Sequence, residues 1–203
     1  TICLPVFLPL ATAVVAGDAI AGEASTGTLR YLLTVPVSRG RLLLIKAAGV
    51  LSFIAASVAI VALVGIIVGG SLFGLHNVTL LSGSTVSLSD GLVRAAGVAG
   101  YVFVDLVGLA AIALFFSTLT EVPVGAMAAT VALVIAFAVL DSVPQLGGIR
   151  GLLLTHHWLD FSDLLRTPLE YRSLLHGLYL PLGYAAIFGS AAWSRMSTAD
   201  VTS

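Results

Sequence analysis

Charge is what this sequence has least of. Lys, Arg, Asp and Glu together make up 9% of its 203 residues, while 59% are hydrophobic. Ordinary globular domains carry about 25% charged residues, and so few cannot cover a water-facing surface, which excludes a soluble domain. The formal net charge is −1, so nothing points to a nucleic acid or an acidic polymer as partner. There is one cysteine, Cys3, which excludes an intrachain disulfide and a Cys-rich metal site; inside an apolar run it reads as a small packing residue. No basic region precedes the apolar residues 2–15, so a signal peptide is not legible.

What is present is long apolar stretches. A helix needs about 20 apolar residues to cross the hydrocarbon of a bilayer. Five stretches approach this: residues 2–16, which are short, 47–72, 92–119, 122–140 and 175–193. Helix is the expected form, because a lone strand in lipid would leave its backbone unpaired. The sequence therefore predicts an all-α polytopic bundle, one transmembrane domain over residues 1–203. A sixth span ahead of Thr1 is expected.

The connections divide the chain further. Residues 17–46 are polar and amphipathic and hold Arg30, Arg39, Arg41 and Lys46, four of the nine basic residues. Residues 74–90 are rich in Ser, Thr and Gly and contain no Lys or Arg. Residues 141–174 form a longer, mixed loop expected to lie as an interfacial or re-entrant helix, with Trp158, Phe161 and Tyr171 at headgroup level. Basic residues near span ends stay in the cytoplasm. This places 17–46 and the C-terminus inside and 74–90 and 141–174 outside, with Asp160, Asp163 and Glu170 available to Arg150, Arg166 and Arg172.

The polar segment has its own physics. Ile20, Leu29, Leu32, Leu33 and Val35 give a short helix an apolar side, and Glu23, Ser25, Thr26, Thr28 and Arg30 a polar one. Gly27 loosens it or admits another backbone. Pro36 turns the chain, and Ser38 suits the cap of the next helix. Arg39, Arg41 and Lys46 suit the phosphate level. On this alone the segment is equally well a plain interfacial anchor. However, the succession Glu23, Gly27-Thr28-Leu29, Leu32-Leu33, Pro36-Val37-Ser38-Arg39 and Lys46 resembles the signature loop of type-2 ATP-binding-cassette (ABC) permeases, in order and in spacing.

The resemblance implies a permease subunit of a bacterial inner-membrane exporter. Two such subunits, alike or merely similar, would form the membrane unit and bind two copies of a separate ATPase. Residues 19–33 would be the cytoplasmic coupling helix, with Glu23, Gly27, Thr28, Arg30, Pro36 and Arg39 as the residues that couple to the ATPase. The chain contains no Gly-x-x-x-x-Gly-Lys-Ser/Thr phosphate loop, so ATP and Mg would belong to the partner and no cofactor to this chain, which is then not itself an enzyme.

Two other features carry chemistry. Asp105 lies mid-span, where a charge costs at least about 2.5–3.5 kcal/mol on insertion scales and must face protein or water. It is a candidate for the translocation path, with Tyr101 one turn away either as a companion there or as a simple hydrogen-bond partner. A secondary transporter using Asp105 for protons is the alternative, and a membrane-embedded enzyme another, though no clustered acid, base and nucleophile supports the latter. His156 and His157 are adjacent and point apart on a helix, which disfavours a shared metal.

Overall fold

The computed structural model describes residues 6–26, 39–74, 78–167 and 171–198. Five long helices account for most of them: α1 (Leu8–Ser25), α2 (Arg39–Phe73), α3 (Leu88–Leu119), α4 (Pro123–Asp141) and α5 (Tyr171–Thr198). Gly40–Leu72, Leu88–Leu119, Pro123–Asp141 and Leu174–Thr198 are long and apolar enough to cross a membrane. Among the described residues α1 is not one of these, because Asp18 and Glu23 fall in its second half.

The apolar run ends at Ala16, but the helix does not. It continues through Gly17, Asp18 and Glu23 to Ser25. Thr12, Ala13, Ala16, Gly17, Ile20 and Ala21 are all buried and recur every three or four residues, so they form one stripe along the helix. That stripe packs α1 against α2, α3 and α4. Tertiary burial, rather than hydropathy, carries the helix past its first charges.

Helix α3 is the central element. Ser87 caps it by accepting a hydrogen bond from the Asp90 amide at 3.2 Å, and Asp90 lies in its first turn, where a negative charge meets the positive helix end. Its residues from Tyr101 to Ser117 form the largest share of the buried core contributed by any one helix, with α1, α2, α4 and α5 around them. After Leu119 the chain reverses: Thr120 Oγ1 accepts from the Val122 amide at 3.0 Å, and Pro123 opens α4 at a position where its missing donor is not needed.

Helix α2 has 35 residues, about 53 Å at 1.5 Å per residue. It contributes Val50, Ile54 and Val58 to the core. Ile60, Leu63, Val64, Ile67 and Leu72 in its second half stay exposed. Side chains built on Gly65 or Gly69 would meet nothing within 4 Å, so the Gly65-x-x-x-Gly69 pattern is not spent on packing within the chain.

At the α2–α3 connection, Val78–Thr79 pairs antiparallel with Thr85–Val86, and Gly83 turns the hairpin with φ +79°. The segment from Pro144 to Leu165 consists of short 3-10 pieces and one helical turn laid across α3, α4 and α5. It is fastened by backbone carbonyls. Arg94 Nη1 donates to Leu164 O at 2.7 Å and Arg166 O at 3.0 Å. Tyr101 Oη donates to His157 O at 2.9 Å, and Tyr184 Oη to Leu152 O at 3.0 Å. Leu81 N donates to Leu165 O at 3.0 Å, which joins the hairpin to the segment.

Candidate coupling and transport sites

The C-terminal end of α1 and the first two turns of α2 lie side by side. Glu23, two residues before Ser25, forms an ion pair with Lys46. The two side chains are 26% and 25% exposed, so the pair sits at a protein edge rather than in open water. Lys46 therefore does not simply reach to the phosphate level; it closes the corner between the two helices. A polar cleft of about 330 Å³ opens beside it, lined by Asp18, Gly22, Thr26 and Pro123 as well as the pair itself.

The same end of α1 is held from the other side by α3. The hydroxyl of Ser117, 1% exposed, accepts hydrogen bonds from the amides of Ile20 at 3.0 Å and Ala21 at 2.9 Å. A serine near the end of an apolar helix gives no warning of this in sequence. Ser117→Ala removes the acceptor, and it is expected to lower stability by about 1 kcal/mol. Thermal unfolding of the detergent-solubilised protein measures this; an unchanged midpoint would show that the two amides do not need the hydroxyl. Of the other residues assigned to coupling, Gly27, Thr28, Arg30 and Pro36 lie outside the described residues, as do residues 27–33 of the expected helix over 19–33. Arg39 is the first residue of α2.

Asp105 and Tyr101 face the seam between α3 and α5. Two glycines set its width. A Cβ on Gly108 would lie 2.9 Å from the Cα and carbonyl oxygen of Pro181, and one on Gly177 would fall onto the Tyr101 hydroxyl. Tyr101 and Asp105 are 3% and 4% exposed. Tyr101 gives its proton to His157 O, so it is not the hydrogen-bond partner of Asp105. Asp105 Oδ1 is buried with no hydrogen-bond partner among the described residues.

Helix α4 gives the scale for the depth of Asp105. The helix α4 has 19 residues, about 28 Å and close to a hydrocarbon thickness of about 30 Å. Antiparallel to it across the Thr120 turn, α3 reaches the level of Asp141 near Tyr101. Asp105 is thus about 6 Å, one turn, inside that level, and the preceding part of α3 projects beyond α4. Its central position in its own helix overstates its depth.

At that level the Pro144–Leu165 segment gathers titratable groups. Asp141 Oδ1 accepts from Arg150 Nε at 3.2 Å and meets His156 Nδ1 at 2.6 Å; His157 Nδ1 meets Asp160 Oδ2 at 2.6 Å. The two histidines serve different carboxylates. No group of three His, Cys, Asp or Glu suited to a metal occurs among the described residues. Arg150 takes Asp141 rather than an acid of its own loop. Beside this network a cleft of about 460 Å³ runs between α1 and α4, walled by Leu10, Ala13, Val131, Val134 and Ile135 and closed at one end by Asp141, Thr155 and Trp158. Thr155 Oγ1 and Trp158 Nε1 are buried and have no hydrogen-bond partner among the described residues, a condition that costs about 1–3 kcal/mol per group.

The family model described as ABC-2 family transporter protein matches residues 3–176. No curated protein and no solved structure matches the chain.

Proposed function

The chain belongs to the ABC-2 transporter family and is a membrane permease subunit of an ABC transporter, and from this premise we propose that it works as an exporter driven by a separate ATPase docked at the Glu23–Lys46 corner. One observation carries the placement: a charged pair joins α1 to α2 at the end of the bundle where Arg39, Arg41 and Lys46 gather. Force applied to the connection between these helices is passed to α2 through the pair and to α3 through Ser117. On this reading that end is cytoplasmic, the hairpin end is external, and a second permease copy completes the membrane unit in the inner membrane. Nucleotide and Mg are held by the ATPase.

The reading is tested by co-expressing the chain with an ABC ATPase and isolating the complex through a tag on the permease. The ATPase should co-purify, and transport in proteoliposomes should require ATP and the ATPase. Transport by the chain alone, driven by a proton gradient, would instead favour the secondary-transporter reading that the buried Asp105 carboxyl invites.

Asp105 is proposed to lie on or beside the translocation path. Asp105→Asn keeps the shape and removes the charge. It is expected to leave assembly with the ATPase intact while changing transport, or transport-stimulated ATP hydrolysis, by several-fold. The seam around Gly108 and Pro181 tolerates this isosteric change, so a stable, fully active Asp105→Asn complex would remove the residue from the mechanism.

A further inference from the structure

The cleft between α1 and α4 is graded in polarity along its length. From Val131 to Ala138 its walls are apolar; at Asp141, Thr155 and Trp158 they become polar. The gradient runs along α4, whose length matches the hydrocarbon, so the polar end lies at the level of the bilayer interface. The charge of Asp141 is already met by Arg150 and His156. What the polar end still offers is hydrogen-bond donors. The indole N–H of Trp158 can only donate, the hydroxyl of Thr155 can donate, and both are buried without partners among the described residues.

Shape narrows the occupant. Spread over the run from Val131 to Asp141, roughly 15 Å long, a volume of about 460 Å³ is a channel roughly 9 Å across once the ~1.4 Å radius of a water is added on each side. A helix with its side chains is about 10–12 Å across and does not fit; an extended hydrocarbon chain does. The volume also falls within the ~300–1,000 Å³ of small-molecule sites. Val6, Leu10 and Ile135 at the margin are exposed, so the channel is open sideways to the lipid.

We propose that this cleft binds one bilayer phospholipid, with an acyl chain between α1 and α4 and an oxygen of the glycerol ester or phosphate region accepting hydrogen bonds from Trp158 and Thr155. The bound lipid would join the external segment to α1 through non-covalent contact. The site is independent of the ATPase and of the substrate the permease carries.

Native mass spectrometry of the full chain tests it, after delipidation in neutral detergent and titration with dioleoylphosphatidylcholine. The wild-type chain should retain one lipid per copy. Trp158→Phe keeps the ring and removes only the N–H, and should cut retention at least fivefold; Thr155→Val should lower it similarly. Val134→Trp, which fills the channel, should abolish it. Trp193→Phe, on a different face, should bind as wild type does. Far-UV circular dichroism confirms that each variant is folded, and Trp158→Phe decides the matter if Val134→Trp is not. Equal retention by wild type, Trp158→Phe and Thr155→Val overturns the proposal. So does a wild-type chain that retains no lipid because another stretch of chain or a second copy fills the cleft. Neither ATPase nor transport enters the measurement, so its failure would leave the permease reading standing.

Discussion

Reversing Glu23 to lysine should cut ATP-driven transport by on the order of tenfold in a reconstituted complex, while the exchanged pair Glu23→Lys with Lys46→Glu should recover most of it. The single change sets two ammonium groups against each other where an ion pair now joins α1 to α2. The pair is partly exposed, so solvent screens it and the bare Coulomb figure must be discounted. A net change of only about 1.4 kcal/mol in the coupled step is already tenfold in rate. Transport should fall more than stability, because Ser117 and the buried stripe of α1 still hold the helix in place. The exchange is the informative arm. If the corner works as an internal strut, its polarity is immaterial and the swap restores function. If Glu23 instead contacts the ATPase directly, the swap stays inactive. Full activity in Glu23→Lys would remove the corner from coupling altogether.

The second large effect concerns the α3–α5 seam. Gly108→Leu should destabilise the fold by about 3 kcal/mol, at the upper end of what overpacking costs. The obstacle at Gly108 is the backbone of Pro181, 2.9 Å from the added Cβ, and a backbone inside a helix cannot swing aside as a side-chain tip can. Gly65→Leu on α2 is the matched control. It makes the same gain in helix propensity but meets nothing within 4 Å, so it should be neutral or stabilising, by at most the ~0.8 kcal/mol that a glycine costs a helix. Thermal or denaturant unfolding in detergent compares the two. Equal stabilities would mean that α3 and α5 are not held as closely as the glycines imply. Separation of this seam would also carry Tyr101 away from His157 O and loosen the segment from Pro144 to Leu165.

Much of this architecture was legible from residue order alone. Hydropathy marked all five long helices, the first only in part, and the succession from Glu23 to Lys46 pointed to the family now assigned to residues 3–176. What stayed hidden depends on contacts between residues distant in sequence. Hydropathy ended the first helix at Ala16, because Asp18 and Glu23 look like loop. The helix persists because Ile20 and Ala21 are buried and Ser117, nearly a hundred residues later, accepts their amides. Asp105 was recognised as costly, but Tyr101, the obvious neighbour at one turn, bonds elsewhere. Asp160 and Asp163 were available to the arginines of their own loop, yet Asp141 of α4 takes both Arg150 and His156. Thr155 and Trp158 gave no signal beyond an aromatic residue suited to an interface; their unmet donors become visible only once α1 and α4 stand beside them.

The length of α2 bears on the membrane itself. Beyond Lys46 its apolar stretch, residues 47–72, has 26 residues, about 39 Å of helix against a hydrocarbon layer of about 30 Å. A tilt of about 40°, the steep end of the observed range, brings its span along the bilayer normal to about 30 Å. The helix would therefore stand steeply inclined, with Lys46 at one interface and Leu72 at the other. Two copies meeting along α2 would then cross rather than run parallel.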